Sequence, residues 1–364
     1  MVMRRGDLVN RLVWVYGRHL NRTVEFLGQA FKDRGYELVP LSLEVPRIRK
    51  ILPILKTLEF KDGRFRAYSS LHPDTYRSVR MPLELLNTPA FVFGDGVILS
   101  DAPHYFYRDL DYRTVIEFRE AGLPTFMYDH FPNRLLNLLA RHQDEVFSRA
   151  ANIFTMSHWT RERMIHHGIS AKKIHWVGAG ANISPWPEAN PYRPENVDRH
   201  RFLFVGRDFD RKGGPLVLKA WLRVIREVPD ARLVIIGPEP GEAMEGVIWL
   251  GRQPMSRIVE ELGKASAFVL PTLWEAFGIA FIEAMAYGVP VIGTDRMAMP
   301  EFIRPGETGD LLREDEPEAL SEMMLRMIRE PERTWTMSQG AFGEAQEYRW
   351  QRVQERIEDV LRHG

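Results

Sequence analysis

The sequence predicts an α/β protein built from two doubly wound parallel sheets, each in a domain of its own. Short runs rich in Val, Ile and Phe alternate with amphipathic stretches along the chain, as in alternating β/α proteins. The chain has 364 residues, which is more than one hydrophobic core usually serves. Residues 182–200 contain four prolines and little apolar periodicity, so they divide the chain into two such series.

The first series is expected to form a domain over residues 1–183. "RLVWVYG" predicts its first strand, "NRTVEFLGQAFKDRG" a helix that Gly35 ends, and "YELVPLSL" the second strand. Five later apolar segments predict further strands: "PAFVFG", "GVILSD", "LPTFMYD", "ANIFTMS" and "IHWVGAG". Helical patterns lie between several of them, which favours parallel strand pairs.

After a linker at 184–200, the second series predicts a domain over residues 201–346. Its expected strands are "RFLFVGR", "RLVIIG", "GVIWLG", "SAFVLP" and "PVIGTD". A helix is expected from near Phe277 to Gly288, with Pro290 just beyond its end. The last segment, 347–364, predicts a helix that is expected to pack back on the first domain, because Trp350, Val353, Ile357 and Val360 form an apolar stripe.

Composition excludes several classes of function. The 49 basic and 49 acidic residues leave no net charge to attract nucleic acid, so no nucleic-acid partner is expected. Without cysteine, the chain can form neither disulfides nor thiolate metal sites. The N-terminus does not resemble a signal peptide, and no apolar run is long enough to span a membrane. We therefore expect a cytoplasmic protein.

Charge is nevertheless uneven in one segment. Between Leu43 and Ala67 there are seven basic residues against three acidic ones. We call residues 47–66 the basic segment; its cations are suited to anionic lipid headgroups or a phosphorylated acceptor, but they also suit a solvated face. Peripheral contact with the inner face of the membrane is therefore an alternative that the sequence leaves open. The basic residues are Arg47, Arg49, Lys50, Lys56, Lys61, Arg64 and Arg66.

The segment "PTLWEAFGIAFIEAMAYGVPVIGTD" carries two glutamates in apolar surroundings. Gly278 would let a ligand approach the backbone, and the free N–H groups of a helix that starts there would attract a phosphate. Glu275 precedes this helix and Glu283 lies within it, where a carboxylate without a partner would be costly. Hydroxyl groups such as those of a ribose would satisfy Glu283. Alternatively, Glu275 is a helix N-terminal acid and Glu283 a surface residue.

A second candidate element is the loop in "FLFVGRDFDRKGG". It follows a predicted strand, contains Arg207, Arg211 and Lys212, and ends at Gly213 and Gly214. In a doubly wound sheet this loop and the helix at Gly278 lie at the same sheet edge, so their cations and N–H groups could converge on a diphosphate. Together the two elements predict a site that stabilises an anionic leaving group.

These motifs resemble those of the family 4 retaining glycosyltransferases, which have the two-domain fold called GT-B, with Rossmann-like domains facing across a cleft. "EAFGIAFIEAMAYGVPVIGTD" is similar to their signature of two glutamates with seven residues between them. The resemblance implies that Glu275 lies at the donor sugar and Glu283 at the nucleotide ribose. "FVGRDFDRKGG" is similar to their diphosphate loop, which implies that Arg207 and Lys212 contact the donor phosphates beside Gly206.

The same resemblance assigns further residues. The donor site would include the backbone around Phe277, Gly278 and Ile279, and Arg252 in "LGRQP", where the base is contacted. Gly17 stands in the first loop, although the paired glycines usual there are absent. "ANIFTMSHWTRERMIHHGISAKKIHWVGAGANI" is similar to the last unit of the family's N-terminal domain, with Gly180 beside the cleft. Asp129 and His130 occupy a position where many members place one polar side chain at the sugar, and the sequence does not distinguish them.

The resemblance implies an enzyme that moves a sugar from a UDP- or GDP-sugar to a hydroxyl acceptor, with retained configuration and without a metal or other cofactor. The acceptor would be a saccharide, a lipid-linked saccharide or a small molecule. "DLD" at 109–111 and "DFD" at 208–210 resemble metal-binding aspartate pairs of another fold, but we expect cations and the helix terminus to neutralise the diphosphate instead. Two alternatives are a sugar-nucleotide epimerase of the same fold and a non-catalytic nucleotide-sugar-binding protein.

Overall fold

The computed structural model describes residues 10–17, 22–45, 50–61, 64–68, 72–94 and 97–363, without the side chains of residues 59, 61, 64, 77 and 78. The chain divides into two compact units. Residues 1–178 and 350–364 form the first unit, and residues 179–349 form the second. Arg47 and Arg49 of the basic segment lie outside the described residues, as do the side chains of Lys61 and Arg64.

The first unit contains a six-stranded parallel sheet in the order β2-β1-β5-β6-β7-β8. Its central strands are almost fully buried, as their continuous apolar runs predict for a sheet covered on both faces. A separate antiparallel hairpin consists of β3 and β4. The strands are β1 (Arg11–Tyr16), β2 (Glu37–Ser42), β3 (Glu59–Lys61), β4 (Arg64–Arg66), β5 (Ala90–Phe93), β6 (His104–Arg108), β7 (Asn152–Thr155) and β8 (Ile174–Trp176).

Two helices of this unit begin where the sequence supplies a side-chain capping group. Ser157 accepts a hydrogen bond from the Thr160 amide at 2.9 Å, and Asp111 accepts one from the Thr114 amide at 2.9 Å. Each side chain thereby satisfies a helix N–H group that has no partner within its helix. The helices are α1 (Thr23–Asp33), α2 (Ile51–Thr57), α3 (Tyr112–Glu120), α4 (Asn133–Arg149) and α5 (His158–His166).

Two strand predictions in the first unit are wrong. "LPTFMYD" forms a short 3-10 turn at Phe126–Tyr128, with Phe126 at a φ of 44°. In "GVILSD" the described residues 97–101 form no strand, because Ile98 and Leu99 pack onto the core and the Leu99 amide donates to His104 Nε2 at 3.0 Å. The sheet instead uses β6, "HYFYR", whose lack of aliphatic residues hid it from an apolar-run criterion.

The second unit repeats the same architecture, with a six-stranded parallel sheet in the order β11-β10-β9-β12-β13-β14. Its strands are β9 (Arg201–Val205), β10 (Arg232–Ile236), β11 (Val247–Gly251), β12 (Ala267–Val269), β13 (Val291–Thr294) and β14 (Gly309–Leu312). Its helices are α6 (Pro194–Val197), α7 (Gly214–Glu227), α8 (Met255–Leu262), α9 (Ile279–Ala286), α10 (Met299–Phe302), α11 (Pro317–Arg329) and α12 (Pro331–Ala345).

The proline-rich residues 184–200, expected as a linker, belong to the second unit. Tyr192 is buried and its hydroxyl donates to the Ser266 carbonyl at 2.8 Å. The side-chain amide of Asn196 donates to the Gly263 carbonyl at 3.0 Å. These side chains attach the segment to the end of α8 and the start of β12.

The last helix, α13 (Trp350–His363), belongs to the first unit and contacts α1. Its buried face carries Trp350, Val353 and Ile357, three of the four residues of the apolar stripe. Arg34, at the end of α1, pairs with the buried carboxylate of Glu358 at 3.3 Å. Apolar burial and this ion pair together hold α13 on the unit.

Strand order in the second unit positions its candidate site. The order reverses direction between β9 and β12, which are neighbours in the sheet. At such a switch point the loops that leave the two carboxyl ends diverge and open a crevice in which ligands bind. The loop after β9 contains Arg207 to Gly213, and the loop after β12 contains Glu275 and Gly278.

Candidate active site

Glycine determines how the loop after β9 approaches the loop after β12. Gly213 has a left-handed φ of 76° and caps α7. A Cβ atom on Gly213 would lie 2.0 Å from the Pro271 carbonyl oxygen, so no larger residue fits there. Within the loop, the Lys212 amide donates to the Asp208 carbonyl at 3.0 Å. The loop is thus a tight turn pressed against the backbone after β12.

Arg211 connects the two loops through both its backbone and its side chain. Its carbonyl accepts a hydrogen bond from the Leu273 amide at 2.9 Å. Its guanidinium donates to the Trp274 carbonyl at 2.7 Å and to the Asp208 carboxylate at 2.8 Å. A planar guanidinium with five N–H groups is suited to hold several oxygens at fixed positions. Arg211 therefore fixes the backbone that leads into Glu275.

Glu275 and Lys212 form the centre of the site. The Lys212 ammonium contacts the Glu275 carboxylate directly, and Arg211 Nη1 lies 3.4 Å from the same oxygen. The Lys212 side chain is 12% exposed and that of Glu275 is 20% exposed. Burial alone would raise the pKa of Glu275, but Lys212 and Arg211 hold that pKa below its usual value. Glu275 is consequently a carboxylate at neutral pH.

Helix α9 starts beside this pair, two residues later than the sequence predicts. Gly278 takes a left-handed φ of 95° and is the N-cap of α9. A Cβ atom there would lie 2.8 Å from the Phe281 ring, so the turn requires glycine. Phe277 is buried, with its ring 5.7 Å from that of Phe302, and it anchors the turn in the core. The turn leaves the first amides of α9, from Ile279 onward, at a helix end with positive dipole.

Glu283 is buried inside α9 rather than exposed on it. Its carboxylate accepts a hydrogen bond from the Asn182 amide at 3.2 Å. Burial raises the pKa of Glu283 to about 7, although the Asn182 hydrogen bond and the charge of Lys212 act in the opposite direction. Since Lys212 lowers the pKa of both glutamates, the two carboxyl groups respond to one cation.

The other residues expected at the donor differ in their burial and in their contacts. Gly206 lies against the Lys212 stem, since a Cβ on it would be 3.0 Å from Lys212 Cγ. Arg207 follows at the start of the loop with an exposed side chain, and no ion pair of Arg207 occurs within the described part of the chain. Arg252 is exposed after β11. Gly180 is buried two residues before Asn182.

Three expected residues belong to the first unit. Gly17 follows β1, and a Cβ atom on it would meet nothing within 4 Å. The Asp129 carboxylate accepts hydrogen bonds from the amide and hydroxyl of Thr125, at 3.0 Å and 2.5 Å. The His130 ring is exposed, and its centroid lies 5.8 Å from that of Tyr68. Asp129 is thus held by its own turn, whereas His130 presents its ring to solvent.

Asn182 and the bridging role of Arg211 were not predicted. Arg211 is visible in the sequence as one of three loop cations, but no pattern ranks it above its neighbours. Asn182 acts through its backbone amide, which any residue type except proline would supply. The role of Asn182 therefore could not be predicted from its residue type.

One aspartate of each acidic tripeptide makes structural contacts. Asp111 caps α3 and also lies 2.8 Å from His167 Nδ1, while Asp208 pairs with Arg211 at 2.8 Å. Across the residues given above as described, no group of three or more His, Asp or Glu side chains is arranged to hold a metal ion. Over the same residues, no helix has both the length and the apolar character needed to cross a membrane.

A family model and several known proteins match parts of the chain. Residues 188–343 match the family model described as glycosyl transferases group 1. A GDP-mannose-dependent monoacylated alpha-(1-6)-phosphatidylinositol monomannoside mannosyltransferase of Corynebacterium glutamicum is 31% identical over 42% of this chain and 44% of its own length. An alpha-maltose-1-phosphate synthase of Mycolicibacterium smegmatis is 28% identical over 52% of this chain and 57% of its own length. The chain thus spans about half the length of the curated relatives it matches.

Some solved structures resemble the chain over nearly its whole length. WaaG, a glycosyltransferase involved in lipopolysaccharide biosynthesis, matches with a TM-score of 0.67 at 16% identity, covering 97% of this chain and 99% of that one. A sucrose-phosphate synthase from Thermosynechococcus elongatus matches with a TM-score of 0.65 at 16% identity, covering 97% and 98%. At this identity the likeness concerns the fold. The predicted α/β fold with two parallel sheets is confirmed.

Proposed function

We propose that this protein transfers a sugar from a nucleotide-diphosphate sugar to a hydroxyl acceptor, because residues 188–343 match the family model of the group 1 glycosyltransferases. We further propose that the transfer retains the anomeric configuration and uses no metal ion. The observation that carries the proposal is the cluster of Lys212, Arg211 and Glu275 beside the start of α9, at the switch point of the second sheet.

In this proposal the donor's diphosphate binds Arg207, Lys212 and the amides around Gly278 and Ile279. Lys212 is already held by Glu275, and an ammonium has three N–H donors. It can therefore keep Glu275 in place while it donates to a phosphate oxygen. Arg207 is exposed beside the same loop and is available to the second phosphate. The helix start adds uncharged donors and a positive dipole end.

Glu283 would bind the donor's ribose. Among the described residues, its buried carboxylate accepts one hydrogen bond, from the backbone amide of Asn182, and it has further lone pairs that hydroxyl groups can use. Burial raises the pKa of Glu283 to about 7, because it disfavours the ionised form more than the Asn182 hydrogen bond and Lys212 favour it. Two ribose hydroxyls would donate hydrogen bonds to the ionised form. Ribose binding should therefore favour the carboxylate.

Catalysis would come from stabilising the departing diphosphate. As the bond between the anomeric carbon and the phosphate oxygen stretches, negative charge grows on that oxygen. Lys212, Arg207 and the α9 amides interact more strongly with the separated charge than with the intact donor, which lowers the barrier. The acceptor oxygen attacks on the same face as the leaving group, and its proton passes to the departing phosphate oxygen. The products are a retained glycoside and a nucleoside diphosphate.

Glu275 would orient the sugar's hydroxyl groups in this scheme. Its low pKa and its contacts with Lys212 and Arg211 stabilise the carboxylate and reduce its nucleophilicity. A role as covalent nucleophile is therefore the less favoured alternative. The proposal that no metal ion is needed also has electrostatic support. Two cations and a helix terminus supply positive charge where a divalent ion would otherwise be required.

The proposed acceptor is a saccharide, and a lipid-linked saccharide is favoured over a soluble one. The C. glutamicum relative is named for a mannosyl acceptor that carries phosphatidylinositol. The basic segment 47–66 also suits contact with an anionic membrane surface, which we propose as a peripheral attachment. The donor nucleotide is proposed to be UDP or GDP.

A thermal-shift series with UDP- and GDP-sugars tests donor binding, followed by incubation of the stabilising donor with lipid-linked and soluble saccharide acceptors. We expect one donor to raise the unfolding temperature, because a ligand in large excess over its dissociation constant stabilises the folded state by several kcal/mol. Acceptor-dependent release of nucleoside diphosphate should follow. An epimer formed from the donor alone would instead identify an epimerase. Binding without any turnover would identify a non-catalytic binding protein.

A further inference from the structure

Large apolar side chains are exposed to solvent in one part of the first unit. Leu55 is 65% exposed, Phe60 64% and Phe65 74%. Among the described residues, nine of the twelve exposed large apolar side chains lie in residues 51–86. The other three are Leu123, Met127 and Leu222. Scattered exposed leucines are ordinary on a soluble protein, whereas a concentration of them marks an interaction surface. The exposed residues of the concentration are Ile51, Leu52, Ile54, Leu55, Leu58, Phe60, Phe65, Leu83 and Leu86.

Helix α2 and the β3–β4 hairpin carry most of this surface. On α2, Pro53 and Thr57 are buried, while most of the other positions are exposed and apolar. The Thr57 hydroxyl accepts a hydrogen bond from the Tyr68 amide at 3.0 Å, which attaches the end of the helix to the chain that follows the hairpin. In the hairpin, the rings of Phe60 and Phe65 contact one another with centroids 5.0 Å apart. The two phenylalanines are therefore exposed on a defined hairpin in which their rings contact one another.

Positive charge accompanies the apolar side chains. Lys50 precedes α2, and Lys56 lies on the helix beside Leu55 with its side chain 45% exposed. Lys56 also pairs with Asp74. In sequence, residues 43–67 hold seven basic against three acidic residues, and the structure describes the side chains of three of the basic ones, Lys50, Lys56 and Arg66. The segment is therefore rich in both apolar and basic residues. An anionic bilayer offers acyl chains to the first property and headgroup charge to the second.

We infer that α2 and the β3–β4 hairpin insert their apolar side chains into the headgroup region of an anionic bilayer. This inference rests on the membrane contact proposed above and changes its nature, because apolar burial rather than charge would hold the protein there. Charge steers the approach and is screened by salt, whereas the burial of Phe60, Phe65 and Leu55 is not. Exposed phenylalanine and leucine together with lysine are typical of interfacial segments.

Vesicle sedimentation of the full chain tests this inference, with vesicles of phosphatidylcholine alone and of phosphatidylcholine with phosphatidylglycerol. We expect binding to the anionic vesicles that weakens but persists in about 0.5 M NaCl, where the Debye length is only a few ångströms. The affinity of the double variant Phe60→Ser/Phe65→Ser for these vesicles should be lower by about tenfold or more at both salt concentrations. Leu222→Ser, which removes a leucine of 55% exposure from α7 of the second unit, should bind like the unchanged protein.

The unfolding temperature and the donor thermal shift of the double variant distinguish a failed insertion from a misfolded variant or a failed transferase proposal. The double variant should keep its unfolding temperature and its thermal shift with donor, since both phenylalanines are exposed and lie in the first unit. Absence of vesicle binding, unchanged binding of the double variant, or complete loss of binding in high salt would each overturn the insertion. A double variant that changes only the oligomeric mass would identify the surface as a self-association site instead. A donor shift that is absent while insertion persists would refute only the transferase proposal.

Discussion

Lys212 lies near two carboxyl groups whose pKa values move in opposite directions. Glu275 is kept ionised by direct contact with Lys212, whereas Glu283 is buried with weaker compensation and its pKa rises to about 7. The sequence predicted that both glutamates would serve one ligand. The pKa difference between them could not be predicted, because it depends on which atoms enclose each carboxyl group rather than on residue type.

The pKa of Glu283 predicts how donor binding depends on pH. If ribose hydroxyls donate to the carboxylate, the pKa of Glu283 is lower in the complex than its value of about 7 in the free protein. Donor affinity should then rise as pH increases toward 7 and level off above it, while below 7 it falls by up to about tenfold per pH unit. Titration calorimetry across this range measures the effect.

The variant Glu283→Gln provides the control for that titration. Glutamine cannot ionise, so the affinity of this variant should be lower and should lose the pH dependence. The same titration bears on stability: because the folded protein binds the proton of Glu283 more tightly than the unfolded chain, protonation favours folding and stability falls as pH rises from about 4.5 to about 7. A pH dependence that survives in Glu283→Gln would assign it to another group.

Arg211 illustrates a residue whose role depends on tertiary contacts. Arg211→Ala would remove the hydrogen bonds to the Trp274 carbonyl and the Asp208 carboxylate. We expect kcat to fall about tenfold to a hundredfold, because Glu275 and the turn before α9 lose their fixed position. The donor KM should change less, since Lys212 remains. Steady-state kinetics of Arg211→Ala and Arg211→Lys test this, with Arg226→Ala on the exposed side of α7 as the matched control. Equal kcat values for all of them would exclude a positioning role.

At the scale of elements, the site is formed by two loops that touch through a glycine. Gly213 has a φ of 76°, and its Cα hydrogens face the Pro271 carbonyl where a Cβ would be only 2.0 Å away. Gly213→Ala should therefore destabilise the protein by about 2 kcal/mol or more and weaken donor binding, because the loops must separate.

Gly343→Ala is the matched control for this glycine. Gly343 lies in α12 with open space around it, and alanine there should stabilise by about 0.5 to 1 kcal/mol. Urea unfolding and donor thermal shifts of the two variants give the comparison. If Gly213→Ala unfolds at the same urea concentration as the original protein, the close contact between the loops does not exist.

Periodicity predicted most elements, and its errors have a common cause. The strands β9 to β13 stand where short runs rich in Val, Ile and Phe predicted them, since a buried parallel strand needs apolar runs. The aromatic strand β6 was not predicted, and the turn at Phe126–Tyr128 was predicted as a strand. Both segments contain aromatic residues, which fit a strand or a turn, so tertiary contacts such as that of Leu99 with His104 help to decide their structures.

At the scale of the whole molecule, the sequence was sufficient for the fold class because each half repeats one pattern. Two sheets of six parallel strands follow from two series of alternating strands and helices. The exposed apolar surface of α2 and the hairpin was not predicted, because the basic residues of the same segment suggested an electrostatic contact alone. Exposure is a property of the folded chain, and the letters of "ILPILKTLEF" are equally compatible with a buried element.

The central claim concerns the second unit: cations and helix amides stabilise a departing diphosphate without a metal ion. Its most direct test is the single-turnover rate of sugar transfer in excess EDTA for the unchanged protein, Arg207→Ala, Lys212→Ala and the control Lys219→Ala on the exposed face of α7. We predict that EDTA leaves the rate unchanged, that Arg207→Ala and Lys212→Ala each lower it about a hundredfold or more, and that Lys219→Ala has no effect. A rate abolished by EDTA, or a loss of only a few-fold in both site variants, would contradict the account.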